Sequence, residues 1–236
     1  EKQKRDLLDS AARSRCGVPL CALEKRFEQD RIRYYLGPSL MEPENRIETN
    51  DTGFCGRHFK LMLANNNRLG VALMAHTYLK ETMARLGETR MAVNEAPVKM
   101  GLFGKKAPAA GTDFSGITDT CILCDRLNAT MDRYVYTVIY MYKHDASFRQ
   151  ALLSSKGFCL RHYAQVLAAG PEQLNAKENQ DFTSAVNKLE MENLKRLEGE
   201  IEWFTLKFDH KNADKPWGTS KDSLDRTVLK LRGKCV

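Results

Sequence analysis

Several familiar signatures are missing from this 236-residue chain. No apolar run approaches the ~20 residues that a membrane span requires. The longest, Tyr134 to Tyr142, is interrupted by Thr137 and ends at Lys143, so no transmembrane helix is expected. There is no glycine-rich phosphate loop, no H-E-x-x-H and no G-x-S-x-G, which leaves nucleotide-binding and common hydrolase readings without residues to carry them. The excess of 37 Lys and Arg over 30 Asp and Glu is densest from Lys207 to Val236, yet that tail lacks an Arg-rich run or interleaved aromatics. It reads as solvated surface, and no specific nucleic-acid partner is expected. The sequence opens on Glu1-Lys2-Gln3-Lys4-Arg5, with no apolar signal region, and cytoplasm is the expected location.

What is present is a globular balance of 42% hydrophobic and 28% charged residues and seven cysteines, at 16, 21, 55, 121, 124, 159 and 235. Around two of them the text nearly repeats. Gly53-Phe54-Cys55-Gly56-Arg57-His58-Phe59 and Gly157-Phe158-Cys159-Leu160-Arg161-His162-Tyr163 both read G-F-C-x-R-H-aromatic. Cys21 precedes the first by 34 residues and Cys124 precedes the second by 35, which implies an internal duplication with a period near 104. A shift of 103 places Cys124 on Cys21 but Cys121 on Val18, so the second half has a full C-x-x-C and the first does not.

From Asn94 to Gly116 the chain collects Pro97, Gly101, Gly104, Pro108, Gly111 and Gly116 without helical or strand period, as a linker does. The expected organisation is therefore a first repeat over 1–93, a linker over 94–116, a second repeat over 117–208 and a basic tail over 209–236. The pattern elsewhere predicts an all-α fold of two tandem helical repeats with a long C-terminal helix and a tail. Leu20, Leu23, Phe27 and Tyr34 mark one helix; Leu127, Met131, Tyr134, Val138 and Met141 mark another. Met62, Leu69, Leu73, Leu79, Met83 and Leu86 predict a single long amphipathic helix starting at Phe59. Gly170-Pro171 reads as a helix stop, and Phe182 through Phe208 as a second long helix. A short helix is expected from Ser220 to Leu231.

The motifs then give a chemistry. Cys121 and Cys124 open one helix, and Cys159 and His162 open another. At helix N-termini the macrodipole and free N–H groups favour thiolate, the form that binds metal. Three thiolates and an imidazole form a closed tetrahedral set for Zn²⁺. The expected first-half counterpart is Cys16, Cys21, Cys55 and His58. Two zinc ions per chain are expected, or one if Val18 disables the first set; an iron–sulfur cluster is the alternative. Cys235, outside both repeats, is expected to be dispensable for metal. Arg57 and Arg161, recurring inside both motifs, are expected to pair with the metal centre or with an acidic side chain. His76 falls on the apolar stripe and is expected to be a core histidine, while His144 and His210 read as surface groups. Nothing in the sequence orients His162 as a base for Cys159, so catalysis is not expected.

Pro19-Leu20-Cys21-Ala22-Leu23-Glu24, Cys121 to Asp125, the two G-F-C segments, Trp203 to Asp209 and Pro216 to Asp222 together resemble an uncharacterised bacterial family, a domain of unknown function found mostly in anaerobic Gram-positive bacteria. The resemblance covers nearly the whole chain and implies a cytoplasmic metal-binding protein with no assigned reaction. In its pattern a cysteine stands where this chain has Val18. The expected role is a metal-stapled binding or scaffold module with a protein partner and no membrane; a redox protein or sensor is the alternative.

Overall fold

The computed structural model describes the backbone of residues 3, 5–7, 19–95 and 115–233, and their side chains except those of 88–95. Cys16, Val18, Cys235 and most of the expected linker lie outside the described residues. Among the described residues the chain is helical and contains no strand. The elements are α1 (Pro19–Tyr35), a 3₁₀ turn (Pro38–Met41), α2 (Pro43–Thr52), α3 (Gly56–Leu63), α4 (Arg68–Glu95), α5 (Ser115–Thr118), α6 (Ile122–His144), α7 (Ala146–Leu153), α8 (Leu160–Gln173), α9 (Ala176–Leu206), a second 3₁₀ turn (His210–Asn212) and α10 (Ser223–Arg232).

The helix expected to start at Phe59 and run on is broken. Asn67 accepts a bond from Gly70 N at 2.9 Å and donates to Leu36 O at 2.6 Å, an N-cap that ends one helix register and begins another. The break changes which face is buried. Met62 is fully buried in α3, but Val71 and Met74 fill the core from α4, while Leu69, Leu73, Leu79, Met83 and Leu86 are 40–71% exposed. His76 is exposed with them instead of lying in the core. Pro171 is accommodated inside the last turn of α8, and the break falls at Asn175 instead of Gly170. There Asn175 and Glu178 form a reciprocal capping box that starts α9.

The chain forms two compact units, one from Glu1–Phe27 with Asn128–Val236, the other from Glu28–Leu127. Each draws on residues from both sides of the 94–116 segment. The reason is helix length. At 1.5 Å per residue, α1 carries the chain about 25 Å and α6 about 35 Å from the cysteines that open them. The end of each helix, not its start, therefore reaches the G-F-C motif of its own half: Tyr35 packs edge-on against Phe54 at 5.7 Å, and Val138 lines one small cavity with Phe158. In the first unit α1 and α6 run antiparallel, with Phe27 on Tyr134 at 5.3 Å and Pro19 sharing that cavity with Val138. The start of each helix thus meets the other half's motif.

Both motif glycines adopt positive φ, Gly53 at 68° and Gly157 at 70°. A Cβ at Gly53 would fall within the Tyr78 ring, whose hydroxyl donates to Ile117 O at 3.0 Å; one at Gly157 would lie 2.5 Å from Glu190 Oε2. Gly53→Ala is expected to cost about 1–3 kcal/mol from backbone strain alone, whereas Gly56→Ala, with nothing within 4 Å of its added carbon, should stay within about 0.5 kcal/mol of the parent. Urea denaturation of the two variants checks the contrast.

Candidate metal centres

Four ligand-type residues converge in the 28–127 unit: Cys55, His58, Cys121 and Cys124, their donor atoms all within 4.8 Å of one another. Cys55 is the N-cap of α3, so His58 falls one turn in and points back over the same helix end. Cys121 immediately precedes α6 and Cys124 lies in its first turn. One backbone and one side-chain bond fasten the two helix starts together: Ile122 N donates to Gly53 O at 3.1 Å, and Thr120 Oγ1 donates to Thr52 O at 2.7 Å.

His58 Nδ1 faces the sulfurs, 3.1 Å from Cys121, 3.3 Å from Cys55 and 3.5 Å from Cys124, and Cys55 and Cys124 Sγ are 3.9 Å apart. A tetrahedral ion with sulfur at ~2.3 Å and nitrogen at ~2.0 Å separates S from S by about 3.8 Å and S from N by about 3.5 Å. The spacing is that of ligands around one ion. The other ring nitrogen, Nε2, lies 3.0 Å from Glu28 Oε1, and Arg57 Nη2 donates to Glu28 Oε2 at 2.8 Å. A carboxylate behind a histidine fixes the ring so that its far nitrogen is free to ligate.

The electrostatics of the metal-free groups follow from this crowding. Burial opposes a charge on Glu28, but its bonds with His58 and Arg57 prevail and bring it down to about 2. Burial likewise disfavours charge on His58, and the Cys121 and Glu28 bonds overcome it, raising the imidazole to about 9. Cys121 is also buried, yet the His58 bond and backbone bonds at Cys55 and Cys124 lower its thiol. Burial, then the neighbouring Cys121 charge, raises Cys124. One thiolate is favoured and a second is resisted, which is the state that a cation would relieve.

The other unit holds a second group, Cys21, Cys159 and His162, all with 0% exposure. Cys159 is the N-cap of α8 and its sulfur accepts from His162 N at 3.5 Å. His162 Nδ1 lies 3.3 Å from both Cys21 and Cys159 Sγ. The neighbouring Cys21 thiol, against the cost of burial, draws the Cys159 thiol well below its usual range, with His162 assisting. Arg161 pairs with Glu24, whose Oε2 is 3.7 Å from His162 Nε2. Motif for motif, Glu24 stands where Glu28 stands in the first centre, and both lie on α1 one turn apart.

The expected grouping is therefore corrected. Cys121 and Cys124 do not meet Cys159 and His162; they meet Cys55 and His58, while Cys159 and His162 meet Cys21. Each grouping lies within one compact unit. Arg57 and Arg161 pair with acidic side chains, as their recurrence suggested. Local spacing does not identify Glu28 and Glu24 as partners, although Glu24 stands three residues after Cys21, in a helical position that faces the same side.

Comparison with family patterns matches residues 7–236 to DUF6062, a family of unknown function. The chain belongs to that family. No curated protein and no solved structure matches it. Membership of DUF6062 accounts for the shared motifs across nearly the full length and assigns no reaction to them. Among the described residues no helix is long and apolar enough to cross a membrane.

Proposed function

We propose that this DUF6062 chain is a zinc-stapled helical module that binds a protein partner, with the two Cys/His groups serving as structural metal centres. The observation that carries the metal reading is the Cys55–His58–Cys121–Cys124 constellation, whose four donor atoms have the separations of a tetrahedral shell and whose histidine is oriented from behind by Glu28. Three sulfurs and one nitrogen suit Zn²⁺, and four protein ligands leave no open position for a substrate, which favours a structural centre over a catalytic one. An iron–sulfur cluster places several irons and sulfides between its cysteines; donor atoms within 4.8 Å enclose room for a single ion. The binding role is supported by the row of exposed apolar side chains along α4, from Leu69 to Leu86.

Elemental analysis of the purified full chain, with its visible spectrum recorded under anaerobic conditions, tests the reading. Two zinc ions per chain and a colourless solution are expected. Stoichiometric iron with visible absorption would replace zinc with a redox centre, and a chain that retains no metal after loading would remove the metal reading.

A further inference from the structure

Helix α4 has two unlike faces. Val71 and Met74 are buried on one. The same side is bonded to α2: Arg46 Nη2 donates to Leu73 O at 2.9 Å, Thr77 Oγ1 donates to Asn50 Oδ1 at 2.7 Å, and Arg85 Nη1 donates to Asp51 O at 2.8 Å. On the opposite side Leu69, Ala72, His76, Leu79, Met83 and Leu86 are all exposed. They follow one another in alternating steps of three and four residues, which gives a 3.5-residue period. At about 100° per residue, each lies within about 60° of the line opposite Met74.

Such a stripe is the seam of a two-stranded coiled coil, narrower than the face with which a helix covers a core. Its order is self-complementary when one copy is reversed on another. With a two-fold axis between Thr77 and Tyr78, Leu69 meets Leu86, Ala72 meets Met83 and His76 meets Leu79. The small and the polar side chain each face a large apolar one, and every layer occurs twice. With the helices in the same direction, Ala72 would face Ala72 across a gap while Met83 crowded Met83. The positions that flank the seam, Leu73, Ala75, Lys80 and Thr82, bring one charge per copy. In the reversed pairing the stem of Lys80 lies along Leu73 of the second copy instead of against another ammonium. His76, the one polar side chain among the six, fixes the register, as a single polar residue in a seam does. Leu69, Leu73, Leu79, Met83 and Leu86 are 40–71% exposed. They leave on the order of 500 Å² of apolar surface on each copy, so two copies face to face cover about 1,000 Å², the area at which specific interfaces begin.

We propose that α4 pairs with α4 of a second copy of this chain, antiparallel about an axis between Thr77 and Tyr78, so that the protein is a homodimer. The inference rests on the binding role proposed above and names a second copy as the partner at α4.

Sedimentation velocity of the full chain as purified, across a range of concentrations, tests the pairing. A species of twice the mass of one chain is expected. Leu79→Glu, which places a carboxylate beside the axis, is expected to leave only single chains, with melting temperature and metal content unchanged because the position faces away from the core. Charge exchange tests the direction. Ala72→Glu and Met83→Lys should each weaken the dimer about tenfold or more. Combined in one chain they should restore it, because the reversed pairing brings the two positions together, whereas helices in the same direction would set like charges against each other. A dimer that survives Leu79→Glu, or a double variant no tighter than the single ones, would overturn this assignment. A chain that is monomeric at every concentration would overturn it too. If that monomer, immobilised, retains a protein from a cell extract and Leu79→Glu does not, the binding role stands with a different partner; if neither retains one, both readings fall.

Discussion

Cys121→Ser is expected to empty the Cys55–His58–Cys121–Cys124 centre and to melt the 28–127 unit at temperatures at which the unmutated chain is intact. The cysteines belong to the core itself: Cys121, Ile122 and Leu123 are buried in one cluster with Tyr35, Phe54, Met62 and Met74. An ion held by this group would join α3 to the start of α6 across more than 60 residues of chain, a closure that the unfolded state does not supply. Structural zinc contributes about 10–16 kcal/mol of apparent binding free energy in small domains, as much as the whole stability of an ordinary domain, about 5–15 kcal/mol. Chelation of the unmutated chain should reproduce the effect. Calorimetry checks both, and an unchanged melting profile after zinc loss would show that the helices hold without it.

The pH dependence separates the two states. In the loaded chain the cysteine ligands are thiolates, whereas in the unfolded chain they remain thiols below about pH 8.5. The unfolded state then binds more protons, so stability rises with pH across roughly 6 to 8.5. In the chelated chain two groups oppose each other. The lowered Cys121 thiol adds stability as pH rises, whereas His58, raised to about 9, stabilises below its unfolded value and loses that contribution as pH climbs toward 9. The Cys159 thiol in the other unit, also lowered, adds to the rise, so a melting temperature that climbs with pH is expected in both states, more steeply with zinc than without it. Glu28, lowered to about 2, contributes above its ordinary value of 4.5, and that contribution is lost as pH falls toward 2.

The second large effect is expected at Glu190. Its carboxylate is 1% exposed, faces Lys230 and accepts from Phe158 N at 3.1 Å, next to the ligand Cys159. Burial pushes the Lys230 ammonium below its ordinary value, with Glu190 opposing. Glu190→Ala leaves a buried ammonium without its counter-charge and is expected to cost about 3–5 kcal/mol. The double variant Glu190→Gln with Lys230→Met, which removes both charges and keeps their volume, should recover much of that loss. Urea denaturation measures both; a single variant within about 0.5 kcal/mol of the parent, the range of ordinary surface changes, would show that the pair is not holding α10 in place.

The ligand types and the helices were legible because they depend on local chemistry. Cysteine three residues before histidine at a helix start presents both side chains at one helix end, and that can be read from spacing alone. That Gly53 and Gly157 turn the chain with positive φ before a helix N-cap is a finding of the structure. The stripe from Leu69 to Leu86 misled, since a 3.6-residue period identifies a helix face and does not say which face is covered. Asn67 resets that phase through a bond to Leu36 O, some thirty residues away, which no local pattern reveals.

The sequence by itself determined the all-helical class, the two G-F-C-x-R-H helix starts and the ligand-type cysteines and histidines placed there. Only the tertiary structure decided which of these side chains come together. Within one unit the first turn of α1 meets the second G-F-C motif, and within the other the start of α6 meets the first; spacing along the chain contains no information about that pairing. The same holds for Glu24, Glu28 and Gly233: their places beside His162, His58 and Cys159 arise from packing between segments far apart in the chain.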